Sequence, residues 1–362
     1  MLLDIVRFGA ALGVVVSHIG EDTFGTGWAH RLVFGDIAVP VFFVLSGFVI
    51  RFVTRDREGN PREYYIDRAS RIYSVAIPGL IATLLCSLLC LVLQRDRFLS
   101  DWGPTFTHPI VRLASNLLFI SQAWGHNTVP FTNSPFWSLG YECPYYLFYG
   151  LLFFLRGWKR LLACALMAAL VGPQVLFLLP LWWFGVWMYD AYYSLRGKSA
   201  GRVASIILTL WLALSILPLF VGISSLPFSI QATFNYIASR PNPLGSLGIS
   251  IHHATMFAYA AGIISVALLF LTLLTIDALR LPLQDTFQDK VRRVADGTFT
   301  LYLFHYPLLL VAAYADLFRY HSNLRNLVVV TAIVTFCVVL AGTLDALKRQ
   351  MRRWLRAYIP AP

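Results

Sequence analysis

The sequence predicts an all-α, polytopic membrane protein, a helical bundle with about ten transmembrane helices and one further re-entrant or interfacial helix. Of the 362 residues, 58% are hydrophobic and only 13% are charged, whereas soluble proteins contain about 25% charged residues. The mean hydropathy is +0.66, and the apolar runs approach the roughly 20 residues that a helical span needs. Because these runs are unbroken rather than alternating, an outer-membrane β-barrel is excluded.

Eleven apolar runs are the candidate spans. They cover residues 2–20, 36–53, 73–94, 110–125, 137–155, 161–177, 179–193, 203–222, 251–275, 298–317 and 325–346. If all eleven crossed, the basic segment 51–71 would face one side, and the basic loops 156–160, 196–202 and 290–293 the other, against the positive-inside rule. The run 110–125 is short and contains Arg112, Asn116 and Gln122. We therefore expect it not to cross, which leaves ten spans with both termini in the cytoplasm.

The charge distribution fits the same orientation. The formal charge of +11 comes from 29 basic and 18 acidic residues, an excess that in a soluble protein would suggest a nucleic-acid partner. Here the excess lies in short loops between apolar runs, where basic residues orient the chain in the bilayer. We expect the lipid bilayer, and no nucleic acid, as a partner.

Cysteine spacing and chain organisation indicate a single membrane unit. The five cysteines lie inside apolar segments without ligand-like spacing, so neither a disulfide framework nor a metal site is expected. No fixed-period repeat or linker divides the chain. We expect residues 1–362 to form one transmembrane domain without an appended soluble domain. The first run contains Arg7 and lacks a basic leader, so we expect it to remain as an anchor rather than be cleaved.

Ionisable residues within the first run are candidates for function, because a charge at bilayer depth costs at least a few kcal/mol. At about 100° per residue, the eleven residues from Arg7 to His18 complete three turns, so both project from one helix face, roughly 16 Å apart. Asp4, three residues before Arg7, is placed to lower the cost of burying it. The alternative is that Asp4 and Arg7 anchor the helix at the interface and His18 only packs.

Two further clusters carry charge into apolar runs. Arg68 and Arg71 share a helix face at i and i+3 and can hold phosphates bidentately, although ordinary positive-inside anchoring also explains them. Glu142 lies about five residues into an aromatic run that includes Trp137 and Tyr141. A carboxylate in these surroundings either pairs with a buried cation or handles a proton.

Taken in order, these segments resemble the membrane-bound acyltransferase 3 family. The resemblance rests on "LDIVRFGAALGVVVSH", "GDIAVPVFFVLSGFVI", Arg68-Ala-Ser-Arg71, "FWSLGYECPYYLFYG" and "TLYLFHYPLLL". Each motif alone is weak, but the ordered set, from residue 3 to about residue 310, is specific. The resemblance implies a multi-pass protein of the bacterial inner membrane with about ten spans.

The resemblance also implies an activity and its residues. Such proteins move acyl groups, often acetyl, from cytoplasmic acyl-coenzyme A to a sugar hydroxyl of a lipid-linked or extracytoplasmic glycan. Acyl-coenzyme A would be a co-substrate, with no other cofactor. The family's functional residues carry over to His18 and Glu142 as catalytic residues, and His305 matches a recurring position of the family. From their places in the sequence, Asp4, Trp137, Tyr141 and His305 are candidates for a supporting role. Arg7, Arg71 and Arg68 would bind the donor.

His18 is expected to act as general base on the acceptor hydroxyl, with Glu142 orienting it or balancing its charge. A covalent intermediate on Ser46 or Tyr141 is the alternative. Direct transfer is favoured, because no nucleophile has a base adjacent in sequence. His305 fits a structural hydrogen bond as well as a catalytic role.

Two other classes of protein remain open. Buried Arg, His and Glu would also suit a transporter or glycolipid flippase, although no inverted repeat supports it. A non-catalytic subunit of a polysaccharide assembly complex would not need both Arg7 and His18. The acceptor stays open among lipopolysaccharide, exopolysaccharide, peptidoglycan precursor and a small glycoside.

Overall fold

The computed structural model describes residues 2–21, 24, 35–56, 60–195, 263–264, 267–274, 295–318 and 323–359. Within these ranges the regular structure is helical and no β-strand occurs, as predicted. The helices are α1 Leu2–Ile19, α2 Gly35–Asp56, α3 Pro61–Leu93, α4 Arg95–Trp102, α5 Pro109–Leu117, α6 Leu139–Phe154, α7 Gly157–Leu195, α8 Thr298–Tyr314 and α9 Asn323–Tyr358. Short 3-10 helices cover Gly103–Phe106, Ala123–Gly125 and Ser134–Ser138. The expected span 203–222 and most of the expected span 251–275 lie outside the described residues.

Four of the described helices, α2, α3, α7 and α9, are long and apolar enough to cross a membrane by length and composition. Their outer faces carry exposed apolar side chains, such as Leu85 and Val92 on α3 and Val339 on α9. Exposed leucine and valine at this density suit lipid rather than water as solvent. The number of ten spans stays a prediction.

Helix α8 forms the centre of the described bundle. It packs against α1, α3 and α9, and Leu301, Leu303 and Leu309 are completely buried. An apolar helix without a polar stripe is stable only when neighbours surround it. The side chains of α8 therefore face the interior at every height of the bundle.

Small residues bring α2 and α7 together. A Cβ atom on Gly185 would lie 1.9 Å from the carbonyl oxygen of Val44, and one on Gly47 would lie 2.1 Å from the carbonyl oxygen of Trp182. Glycine at both positions lets the two backbones touch, as in many membrane helix pairs. This contact fixes α2, and with it Ser46, against α7.

Helix α7 consists of two limbs divided at Gly172, whose φ of 76° is not helical. The first limb starts where Arg160 donates to the carbonyl oxygen of Leu152, at the end of α6. The second limb runs back along α6, with Tyr145 donating to the carbonyl oxygen of Val175 at 2.7 Å. Two apolar runs were predicted here, but the predicted boundary near residue 178 is wrong, because the left-handed conformation favours glycine.

The ends of α3 and α9 meet at one end of the bundle, called here the basic end. Asn60 caps α3, and Arg62 donates to the carbonyl oxygen of Ile359 at 2.8 Å. One turn further, Asp67 and Arg352 form an ion pair at 2.5 Å. These contacts fix α3 antiparallel to α9 and set the height of Arg71 in the bundle.

The segment 110–125 contains one short α-helix and one 3-10 turn. Helix α5 has nine residues, about 13 Å of length at 1.5 Å per residue, against a hydrocarbon core of about 30 Å. A turn follows, in which Asn116 donates to the carbonyl oxygen of Thr128 at 2.8 Å. This geometry agrees with a segment that enters the bundle or lies at its surface without crossing.

Single cysteines test this topology in a cysteine-free background. Ser100, His126 and Lys159 are all exposed. If 110–125 does not cross, an impermeant maleimide added to intact cells should label Ser100→Cys and His126→Cys but not Lys159→Cys. Labelling of His126→Cys only after permeabilisation would mean that 110–125 crosses, and would refute the assignment of basic loops to the cytoplasm.

Candidate active site

A polar cavity of about 170 Å³ lies between six helices of the bundle. Arg7 reaches it from α1, Ser46 from α2, Arg71 from α3 and Glu142 from α6. Helix α8 contributes Tyr302, and α9 contributes Asp345 and Lys348. Four of these residues were candidates from sequence, Ser46 as the alternative nucleophile and Arg7, Arg71 and Glu142 as site residues, and the fold brings all four to one place.

Glu142 is the acceptor of a hydroxyl network. The Ser46 hydroxyl donates to its carboxylate at 2.9 Å, and the Tyr146 hydroxyl donates to the same oxygen. Glu142 lies in the first turn of α6, slightly earlier in the helix than expected from sequence, where the helix dipole stabilises a negative charge.

The two arginines at the cavity lie close enough to influence each other electrostatically. The guanidinium group of Arg7 is repelled by that of Arg71 and attracted by the carboxylates of Glu142 and Asp4. Neither guanidinium forms an ion pair with a carboxylate of the described residues, whereas Lys348 pairs with Asp345 at 3.0 Å. Asp296 lines the cavity too, so three basic side chains and three carboxylates face it, but the neighbouring guanidinium groups of Arg7 and Arg71 still repel each other unless an anion binds to them. The cavity is therefore suited to an anionic ligand.

Arg68 lies apart from this pair. It is buried, with its guanidinium carbon 5.3 Å from the ring centroid of Tyr64, and it is not among the residues that line the cavity. Tyr64 donates to the carbonyl oxygen of Tyr146 at 2.9 Å. The shared face of Arg68 and Arg71 thus does not give both residues the same surroundings, because only Arg71 faces the cavity.

His18 lies in the last turn of α1 and has a different carboxylate partner from the one expected. Its Nδ1 lies 2.5 Å from Oε1 of Glu21, and Oε2 of Glu21 accepts a hydrogen bond from Tyr306 at 3.0 Å. The expectation that Glu142 orients His18 is therefore corrected, since Glu142 binds Ser46 and Tyr146. Glu21 was missed because it follows the apolar run; its i+3 spacing from His18 was the available signal.

His305 is completely buried on α8 beside His18, with 5.4 Å between the two ring centroids. Its Nδ1 bonds the carbonyl oxygen of Leu301 at 2.8 Å, which is the structural hydrogen bond considered from sequence. One turn away, Tyr302 donates to the Ser138 hydroxyl at 2.9 Å. Tyr302 lines the cavity, so α8 leads from the cavity to the His18 site.

Trp137 and Tyr141 pack against each other outside the cavity lining. Their rings pack edge to face with 5.4 Å between centroids, and the Tyr141 hydroxyl accepts a long hydrogen bond of 3.4 Å from Gln174. Neither residue lines the cavity. An amide is no base, so the structure favours Ser46, which contacts Glu142, over Tyr141 as a nucleophile.

A helical bundle with apolar outer faces and a buried site of arginines, carboxylates and histidines defines an integral membrane protein with a polar interior site. The sequence profile of the acyltransferase domain matches residues 2–344. The chain belongs to this family, acyltransferase 3, as its motifs indicated.

Two curated relatives match part of the chain. It is 31% identical over 166 residues to the acyltransferase MdmB of Streptomyces mycarofaciens, an alignment covering 43% of this chain and 38% of the relative. It is 30% identical over 159 residues to the exopolysaccharide production protein ExoZ of Rhizobium meliloti (strain 1021), covering 42% of this chain and 44% of the relative. The chain thus spans less than half the length of the curated relatives it matches. No solved structure matches it.

Charge compensation at the cavity predicts a stability order. Glu142→Gln keeps a hydrogen-bond acceptor but removes a negative charge near Arg7 and Arg71, and the repulsion left between the two guanidinium groups destabilises the fold by up to about 3 kcal/mol. Ser46→Ala removes one hydroxyl contact, worth about 1 kcal/mol. We expect the melting temperature of purified protein in detergent to fall more for Glu142→Gln. Inorganic pyrophosphate should restore part of that loss, and a larger fall for Ser46→Ala would contradict this account.

Proposed function

We propose that the protein is a membrane O-acyltransferase that moves an acyl group, acetyl being the simplest, from acyl-coenzyme A to a hydroxyl of a lipid-linked or extracytoplasmic glycan. Family membership supports the class of reaction. The observation that carries the proposal is the stripe along α1 that joins Arg7, at the cavity, to His18 and Glu21, roughly 16 Å away.

The donor enters at the basic end in this proposal. Arg7 and Arg71 hold its phosphates, because planar guanidinium groups bind phosphate oxygens through paired hydrogen bonds. The long pantetheine arm then follows the cavity towards Tyr302, and the thioester reaches the neighbourhood of His18. Chemistry therefore takes place away from the phosphate-binding residues. Arg68 acts on the donor site indirectly, because it lies outside the cavity and packs against the ring of Tyr64.

His18 is the general base for the acceptor hydroxyl. Glu21 binds Nδ1 of the imidazole, which leaves the Nε2 lone pair to take a proton and stabilises the imidazolium that forms. The hydroxyl oxygen attacks the thioester carbonyl carbon while its proton moves to Nε2. The carbon–sulfur bond then breaks, and the coenzyme A thiolate leaves with the proton from Nε2 of the imidazolium, which returns His18 to its neutral form.

The acceptor and the location are part of the proposal. A relative whose name refers to exopolysaccharide production supports a glycan acceptor. The basic loops and the basic end support a multi-pass protein of the bacterial inner membrane with both termini in the cytoplasm, so that donor and acceptor approach from opposite sides. A transporter or flippase would use the same buried charges without a group-transfer step.

Arg71 provides the test of the donor site. Arg71→Ala should raise the apparent dissociation constant for acyl-coenzyme A by about tenfold or more, because a charge-assisted hydrogen bond contributes about 1.5–3 kcal/mol. Arg71→Lys should rescue only in part, since lysine lacks the planar fork. Arg68→Ala is the matched control, for which we expect a smaller change in the donor constant. The measurement is equilibrium binding of labelled acetyl-coenzyme A to purified protein. Equal effects of the two substitutions would mean that Arg68 and Arg71 both bind the donor phosphates.

His18 separates an enzyme from a transporter. His18→Gln keeps a polar side chain of similar size but cannot take a proton at neutral pH, so acyl transfer should fall by about two to four orders of magnitude. Donor binding should survive, because Arg7 lies three helical turns away. Transfer of labelled acetyl groups is measured in membranes with equal amounts of each variant, and His126→Gln, in an exposed loop, is the control.

Two results would contradict direct transfer by His18. Substantial transfer by His18→Gln would make the imidazole structural. Labelled acyl groups recovered covalently on Ser46 after denaturation, and lost in Ser46→Ala together with transfer, would establish the covalent route through Ser46 and Glu142. No transfer by the unmodified protein to extracted cell-envelope glycans, with the glycan instead crossing vesicle membranes, would favour the transporter.

A further inference from the structure

The protonation of His305 is fixed by its backbone partner. Its Nδ1 lies 2.8 Å from the carbonyl oxygen of Leu301, and a carbonyl oxygen only accepts, so Nδ1 carries the hydrogen. Nε2 is then a hydrogen-bond acceptor. The side chain is completely buried, yet this atom has no hydrogen-bond partner among the described residues. An acceptor buried without a donor is costly, so Nε2 needs a donor from a water molecule or from a ligand group.

The same reasoning applies to His18. Its Nδ1 faces a carboxylate oxygen of Glu21 at 2.5 Å, which places the hydrogen on Nδ1 and the lone pair on Nε2. The two imidazoles lie side by side, 5.4 Å between centroids and tilted by 34°. Two neighbouring acceptors cannot bond each other, so each requires its own O–H or N–H donor.

The hydroxyls of the two tyrosines whose rings contact His305 bind other partners. The Tyr306 hydroxyl donates to Glu21 at 3.0 Å, and the Tyr302 hydroxyl donates to Ser138 at 2.9 Å. Both rings nevertheless contact His305, at 6.4 Å and 6.3 Å between centroids. The described part of the fold thus surrounds Nε2 of His305 with tyrosines without supplying a donor to it.

We propose that His305 binds the acyl acceptor, and that the acceptor presents two hydroxyls on adjacent carbons of a sugar ring. His18 takes the proton of the reacting hydroxyl, while Nε2 of His305 accepts a hydrogen bond from the neighbouring one. One hydroxyl carries one hydrogen and can satisfy only one of the two imidazoles, so two hydroxyls are required. This inference rests on the proposed function and narrows its acceptor to a vicinal diol.

Two isosteric substitutions separate this role from a structural one. In His305→Asn, the side-chain amide can still donate to Leu301 but nothing replaces Nε2. In His305→Gln, the side-chain oxygen reaches the Nε2 position but the bond to Leu301 is lost. We expect His305→Asn to raise the KM for the acceptor by about tenfold, with the dissociation constant for the donor unchanged. For His305→Gln the KM for the acceptor should stay within about threefold of that of the unmodified protein.

The assay uses the full-length protein in membranes, labelled acetyl-coenzyme A and glycolipid extracted from the producing cells. Near-normal acceptor KM for His305→Asn, or a greater loss for His305→Gln than for His305→Asn, would overturn the inference and leave a structural histidine. Absence of transfer by the unmodified protein would instead overturn the proposed function on which the inference rests.

The position of the ester on the product tests the diol directly. Mass spectrometry and NMR of the acylated glycan should place the ester on a ring carbon whose neighbour carries a free hydroxyl. An ester on a carbon without such a neighbour would overturn the diol requirement. Normal transfer to a methyl glycoside that lacks the neighbouring hydroxyl, compared with its parent glycoside, would do the same.

Discussion

Charge compensation inside an apolar bundle is the constraint on which the rest of the structure depends. Ionised groups at membrane depth are costly, and they persist where they reduce one another's burial cost. Arg7, Arg71 and Glu142 come from three helices and meet at one cavity, so those helices must pack at one relative height. The compensation is not pairwise: three basic side chains (Arg7, Arg71 and Lys348) and three carboxylates (Glu142, Asp296 and Asp345) line the cavity, yet Arg7 and Arg71 form no ion pair with a carboxylate among the described residues. Such a site is stable enough to fold and still leaves two guanidinium groups for an anion.

Helix α8 connects the charged cavity with the histidine pair. Its side chains point into the interior at successive heights, with Tyr302 at the cavity, His305 one turn on, and Tyr306 at Glu21. A buried helix without a lipid-facing side has no free surface on which it can shift alone. The distance between the charged cavity and the imidazole pair is therefore set by one rigid element, in parallel with α1.

Sequence reasoning predicted what depends on helical geometry and missed what depends on tertiary contacts. The apolar run predicted one continuous helix that holds Arg7 and His18, which the structure shows. The expectation that 110–125 does not cross stays a prediction, with which the nine-residue α5 agrees. The separation of Arg71 from Arg68 did not follow, because i and i+3 spacing defines a face but not what packs against it. Glu21 lies beyond the apolar run, and the break in α7 depends on Gly172 and Trp124, whose ring lies where a Cβ atom would be.

The eleven-residue interval in α1 also limits how this protein can change over evolution. Substitutions between Arg7 and His18 leave the stripe in place, whereas inserting or deleting one residue would rotate His18 by about 100° and move it by about 1.5 Å along the axis. His18 would then turn away from His305, and Glu21, which follows His18 in the chain, would turn away from Tyr306. We therefore expect insertions and deletions in the first helix to be tolerated outside this interval but not within it. The interval sets both the distance and the angle between Arg7 and His18.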